Sequence, residues 1–276
     1  MHEEINAVIK KYTTLKNVES ILLIGSRATS FYDEQSDYDL YIIYSGTKPL
    51  VDDRKIFLKI DGIFNFETKP EDNVWNDEWI QSGETFSLNS IKVDSGYQSL
   101  NFLKSVVEGV VTDGQISMEI MKFRPYTIPG LIEKSRILYD KNGELTRLRQ
   151  KVRPYPGKLK KQLIGQGIEI VSESLEDMND YCNRGIGNNA FLFHLWRVSD
   201  GICQILYALN EIYDPSTKRT EEYFELLKKK PVGFRMRFDK ILEGPFNKEN
   251  RHVIVNQLKI LYADVLTLEQ SKCKEE

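Results

Sequence analysis

Apolar positions recur in two different rhythms along this chain, and the rhythm changes near residue 150. At the N-terminus Ile5, Val8, Ile9 and Tyr12 fall at helical spacing between charged residues, which predicts an amphipathic helix. Ile21-Leu22-Leu23-Ile24 is a short apolar run stopped by Gly25-Ser26, the pattern of a buried strand that opens into a turn. Residues 27–36 are polar and irregular, and Asp37 to Tyr44 is rich in aromatic and β-branched residues, as strands are. Asp61-Gly62 stands between Lys55–Ile60 and Ile63–Glu67, which predicts a β-hairpin.

From about 70 to 130 the pattern is less decisive. Trp75 and Trp79 stand four apart, as on a helix, and residues 98–111 read as another helix. Ile137-Leu138-Tyr139-Asp140 predicts a short strand ended by a Lys-Asn-Gly turn. After Arg153-Pro154-Tyr155-Pro156 the period is helical. Ile202, Ile205, Leu206, Leu209 and Tyr213 form one stripe, Phe224, Leu227 and Phe238 continue it, and Val253 to Leu268 closes the chain. The expectation is an α+β fold: residues 1–152 as a small mixed sheet flanked by helices, and residues 153–276 as a helical bundle.

Composition narrows the function. The chain has 276 residues, enough for one large domain or two ordinary ones. Its 41% hydrophobic and 29% charged residues are ordinary for a soluble globular protein. A formal charge of −3 argues against a protein that coats nucleic acid, yet leaves room for a local basic patch around a triphosphate. Cys182, Cys203 and Cys273 form no CxxC pair, so neither a zinc ribbon nor a disulfide framework is expected. The charged opening MHEEINAVIKKYTT lacks the apolar stretch of a signal peptide, and no run of about 18 apolar residues suggests a membrane span. The expected location is the cytoplasm.

The chemistry concentrates in Ile24-Gly25-Ser26-Arg27-Ala28-Thr29-Ser30 and Ser36-Asp37-Tyr38-Asp39-Leu40. Gly25 lets backbone and ligand approach closely. A helix starting after Ser26 would offer free N–H groups to a phosphate, with the Ser26 hydroxyl and Arg27 beside them. Asp37 and Asp39 are two apart on a strand, so their side chains leave the same face. Their Cα atoms should stand about 6.6 Å apart. From there both carboxylates can reach one hard cation, and Mg²⁺ takes such ligands together with substrate phosphates. Without a cation the two repel.

An apolar strand, Gly-Ser, ten residues and then Asp-x-Asp-Leu resembles the signature of the DNA polymerase β-like nucleotidyltransferase superfamily. The form GSRA…SDYDL is most similar to bacterial antibiotic nucleotidyltransferases and to the minimal nucleotidyltransferases of toxin–antitoxin pairs. The resemblance is sharp over residues 21–44, weaker over 131–145 and loose over the helical half. Many members have Arg-Gly after the Ala, where this chain has Thr29-Ser30. The resemblance implies that residues 1–152 are the catalytic domain. Gly25 and Ser26, with Arg27, would hold a nucleoside triphosphate, ATP by preference, and Asp37 and Asp39 would bind two Mg²⁺. It also implies a third carboxylate, as metal ligand or base. Glu67 is the first candidate, with Glu78 and Glu84 as competitors.

The implied reaction moves a nucleoside monophosphate to a hydroxyl of a small-molecule acceptor and releases pyrophosphate. A protein acceptor, as in antitoxins that adenylylate their toxin, is the alternative, and a nucleotide-binding module without catalysis is another. Acceptor, base preference and oligomeric state stay open, a homodimer included. Other features read blandly: His194 as a packed helix residue, Arg153 as part of a linker, Lys228-Lys229-Lys230 as a solvated helix end, and Asp140 to Glu144 as a tight turn.

Overall fold

The computed structural model describes residues 3–69, 80–117, 124–215 and 220–270, in two compact units, Met1–Pro156 and Gly157–Glu276. The first helix, α1 (Glu3–Tyr12), buries Ile5, Val8, Ile9 and Tyr12. Glu3 and Glu4 open it and Lys10 and Lys11 close it, each sign at the end the helix dipole favours.

Six strands form one mixed sheet: β1 (Val18–Ile24), β2 (Tyr38–Tyr44), β3 (Ile63–Lys69), β4 (Ser82–Leu88), β5 (Ile91–Ser99) and β6 (Arg136–Asp140). Their order is β3-β4-β5-β2-β1-β6; β2 and β5 run parallel and every other neighbour pair antiparallel. Central β1 and β2 read as nearly continuous apolar runs because both of their faces are covered. One face presents Ile21, Leu23, Tyr38, Leu40, Ile42, Val93 and Tyr97 to α1. By the period of two, Asp39 and Asp94 leave the opposite face.

The expected hairpin at Asp61-Gly62 does not form. Residues Val51–Arg54 make a single helical turn, α2, and Lys55–Lys59 a 3-10 helix; Gly62 (φ 85) then turns the chain into β3, which pairs with β4 instead. A buried ion pair fastens this segment to the sheet. Arg54 and Glu84 are both fully buried, and Arg54 Nη1 donates to Glu84 Oε1 at 2.8 Å and to Ser82 Oγ at 2.6 Å. Tyr12 Oη and Ser95 Oγ donate to Glu84 Oε2, and the Arg54 guanidinium lies 5.1 Å from the Tyr97 ring centre. Burial pushes the Glu84 carboxyl above its ordinary pKa, outweighing the Arg54 charge and these hydrogen bonds, which pull it down. This network ties segment 51–59 to the sheet as helix and leaves β3 to find its partner in β4. The expected helix at Trp75 and Trp79 lies outside the described residues.

Among the described residues the unit has three further helices, α3 (Leu100–Asp113), α4 (Thr127–Lys134) and α5 (Glu144–Val152). Ser99 caps α3, its hydroxyl accepting from Phe102 N, and Gly114 ends it in the left-handed region. Helix α5 packs on β1 and β6, and α3 and α4 pack on α5.

The second unit is helical. A long hairpin, α6 (Gly157–Arg184) and α7 (Asn188–Leu209), is joined by α8 (Thr220–Leu226), α9 (Phe234–Leu242) and α10 (Arg251–Gln270). Phe224, Phe234 and Phe238 form a ring cluster with centroids 4.9–5.3 Å apart. Buried Arg251 holds the α6–α7 turn, donating to Ile186 O and Asn188 Oδ1 over the face of Phe191. His194 is buried beside Tyr181 and Phe193, and Lys230 Nζ donates to Phe224 O near the end of α8. Cys182 is half-buried and Cys203 buried, neither in a disulfide, and Cys273 lies outside the described residues. Among the described residues no helix is long and apolar enough to cross a membrane.

Candidate active site

Strand register assembles the site. Ile24 is opposite Asp39 across β1 and β2, and Asp39 is opposite Asp94 across the parallel pair β2 and β5. The end of β1, the start of β2 and the start of β5 therefore meet at one edge of the sheet. Residues in register share a face, so Asp39 and Asp94 project side by side. Asp37, two residues before Asp39, joins them.

Gly25 ends β1 with φ 67 and ψ −156, a conformation that residues with a Cβ rarely adopt. A Cβ there would meet Asp39 Oδ2 at 2.2 Å. The missing side chain is space that the carboxylate uses. Beyond Gly25 the chain makes one 3-10 turn, Ser26–Ala28, and Thr29 closes it by donating its N–H and its hydroxyl to Ser26 O. No α-helix starts after Ser26, so the condition for a helix N-terminus at the phosphate is not met. A single 3-10 turn has no macrodipole to offer, so any anion here relies on the local N–H and hydroxyl groups.

Arg27 shapes the loop. Its Nε donates to Ser36 O at 2.6 Å and its guanidinium stacks on Tyr38, 4.4 Å from the ring centre. The loop is further braced by Asp33, which accepts from Ser36 Oγ and Gln35 N. Arg27, Tyr32, Asp37, Ile91 and Lys92 line a cavity of about 590 Å³, within the range of small-molecule sites.

Lys92 lies between two of the carboxylates. Its Nζ is 2.7 Å from Asp37 Oδ2 and 2.8 Å from Asp94 Oδ2. Hydrogen bonds to Asp37 and then Asp94 hold the ammonium above its ordinary pKa. Asp94 also accepts from the Thr85 hydroxyl of β4, which orients its other oxygen.

Glu67 is in the same transverse row, opposite Thr85, which is opposite Asp94. It sits on edge strand β3, three strand spacings and therefore about 14 Å from Asp39. The structure does not bring Glu67 to the aspartate pair. Glu84 faces the other side of the sheet, committed to Arg54. Glu78 lies outside the described residues. Asp94 and Lys92 escaped the sequence reading, although Ile91-Lys92-Val93-Asp94 alternates apolar and charged residues as a half-buried strand does.

Among the described residues no three His, Cys, Asp or Glu groups already stand as a ready metal cage. The donor set nevertheless fits a hard cation. Asp37, Asp39 and Asp94 could offer carboxylate oxygens, the donors that Mg²⁺ takes. A cation, the Lys92 ammonium, already bridges Asp37 and Asp94, and Gly25 leaves room for the Asp39 carboxylate itself.

Residues 3–77 match the family model described as "Polymerase beta, Nucleotidyltransferase", a stretch that holds Gly25, Ser26, Asp37 and Asp39 and ends before β5. Over residues 3–77 the chain is thus similar to the nucleotidyltransferase domain of the DNA polymerase β-like superfamily. The fold of this nucleotidyltransferase domain is the mixed sheet with flanking helices, followed by a helix-rich C-terminal region. Residues 130–219, from α4 through α7, match a domain of unknown function, DUF4037. Among solved structures the chain is similar to a nucleotidyltransferase-like protein from Exiguobacterium sibiricum 255-15. The two share 12% identity over 99% of this chain and 80% of that one, with a TM-score of 0.48. No curated protein matches.

Proposed function

We propose that this chain transfers a nucleoside monophosphate, AMP from ATP, to a hydroxyl of a small-molecule acceptor with release of pyrophosphate. The observation that supports it is Asp39 in register with Asp94 on β2 and β5, with Asp37 beside them and Gly25, just past β1, in close approach to Asp39. In this reading Asp94 takes the role first considered for Glu67, that of the third carboxylate.

Divalent cations held by Asp37, Asp39 and Asp94 would neutralise the triphosphate and the charge that develops at the α-phosphorus. Gly25 and Ser26 cradle the phosphates, and Arg27 borders the cavity in which a reactant lies. Asp94 accepts the proton of the acceptor hydroxyl as its oxygen bonds to the α-phosphorus. The bond from that phosphorus to the bridging oxygen breaks, and pyrophosphate leaves. Such transfer is mostly positioning and charge neutralisation, which fixed carboxylates on a rigid sheet provide.

The test is thermal unfolding with ATP, GTP, CTP and UTP, each with and without Mg²⁺, on the wild type and on Asp37→Asn/Asp39→Asn. A ligand at about 100 times its Kd stabilises the native state by roughly 2.7 kcal/mol. The expected result is Mg²⁺-dependent stabilisation by ATP that the double variant loses. No response to any nucleotide would sink the reading.

A further inference from the structure

We propose that Lys92 is a built-in, displaceable counter-ion of the metal site: its ammonium holds Asp37 and Asp94 together in the metal-free protein and competes with a divalent cation for them. The inference rests on the reading of Asp37, Asp39 and Asp94 as metal ligands. Lys92 Nζ is within hydrogen-bond distance of one oxygen on each of two carboxylates, 2.7 Å from Asp37, just before β2, and 2.8 Å from Asp94 on β5. That is the bridging place a cation shared by the two carboxylates would take.

Three features make Lys92 exchangeable. Its side chain is half exposed, so the ammonium can return to water without breaking the core. Its stem is long and flexible, with rotamer freedom that a buried ligand would lack. It also borders the cavity beside Arg27 and Asp37, so the freed ammonium stays near the space where a triphosphate would lie.

The consequence is directional. Asp37 and Asp94 without a cation would repel one another across the β2–β5 pair, and Lys92 removes that repulsion. An incoming dication must break two charge-assisted hydrogen bonds and displace a positive charge, so metal alone binds weakly. Lys92 is thus a positioning residue that sets the metal affinity of the site.

The experiment is Mn²⁺ titration of the full chain without nucleotide, read by the electron paramagnetic resonance signal of free Mn²⁺ and by thermal unfolding. Wild type, Lys92→Met, Lys92→Gln and Lys92→Arg are compared at fixed pH. Both neutral variants should bind Mn²⁺ more tightly, on the order of tenfold, because a unit charge next to a dication site costs about that much. They should unfold at lower temperature without metal and gain more on adding Mn²⁺. Lys92→Arg, which keeps the charge, should stay close to wild type. If wild type binds Mn²⁺ and neither neutral variant binds it more tightly, the inference falls and the metal-dependent reading stands. If Mn²⁺ binds to none of them, both fall.

Discussion

A Cβ on Gly25 would stand 2.2 Å from Asp39 Oδ2, so the left-handed glycine that ends β1 and the carboxylate on β2 are fitted to one another. Gly25→Ala must both strain the backbone at φ 67 and move Asp39. We expect it to destabilise the fold by about 1–3 kcal/mol in urea unfolding. It should also abolish stabilisation by Mg²⁺ and ATP. A full ATP response in Gly25→Ala would show that the close approach has no bearing on the site.

Asp94 and Glu67 share a transverse row, but only Asp94 is next to Asp39. Asp94→Asn should therefore lower the rate of pyrophosphate release on the order of 10²-fold or more. Glu67→Gln should leave it nearly unchanged. The reverse ranking would return the third-carboxylate role to Glu67.

Arg54 and Glu84 form an ion pair with both side chains fully buried. Arg54→Met leaves Glu84 buried without its cation and should cost roughly 3–5 kcal/mol, measured by chemical denaturation. The double variant Arg54→Met/Glu84→Gln should recover part of that loss. An additive double-mutant cycle would mean that the pair does not couple the 51–59 segment to β4.

Asp140 is the pH-sensitive cap of α5. Burial pushes its carboxyl up, but hydrogen bonds from the Thr146 hydroxyl and N–H, Ser20 Oγ and Leu145 N outweigh this and leave its pKa below the ordinary aspartate value. With the folded pKa depressed, the unfolded chain binds the proton more readily, so the contribution is present above about pH 4 and lost as pH falls through the folded value. Asp140→Asn should lower stability at pH 7 by about 1 kcal/mol. It should also flatten the stability curve below about pH 4, which a pH series of thermal unfolding resolves.

Gly165 and Gly167 stand in the same helix, α6, with opposite surroundings. A Cβ on Gly165 meets nothing within 4 Å, whereas one on Gly167 meets Ile205 Cγ1 at 2.6 Å and Gly201 O at 3.1 Å. Gly165→Ala should stabilise by about 0.5–1 kcal/mol, as helix propensity dictates. Gly167→Ala should destabilise by about 1–3 kcal/mol, because α6 and α7 must move apart. Equal and stabilising effects at both sites would refute the close packing of this hairpin.

The sequence alone determined the features set by short-range chemistry. Residues Ile5, Val8, Ile9 and Tyr12 predict a helix because helical spacing makes an apolar stripe, and α1 has that stripe buried. The turn at Gly25-Ser26 and the strand that carries Asp39 were legible for the same reason, since a special backbone conformation and a period of two are local properties; Asp37 itself lies just before that strand. The helical character of the second half was visible in the periodicity of α7 and α10.

Tertiary structure alone decided which local elements meet. Asp61-Gly62 looks like a hairpin turn, but the segment before it is helical, with Arg54 buried against Glu84 and Ser82 of β4, and β3 pairs with β4 instead. The third carboxylate could not be chosen by spacing along the chain. Asp94 is 55 residues from Asp39, and only the parallel register of β2 and β5 brings it alongside. Lys92 follows from the same register. Its charge is legible as part of an alternating strand, but its place between Asp37 and Asp94 is a property of two strands, and pairing is a choice that only the whole sheet makes.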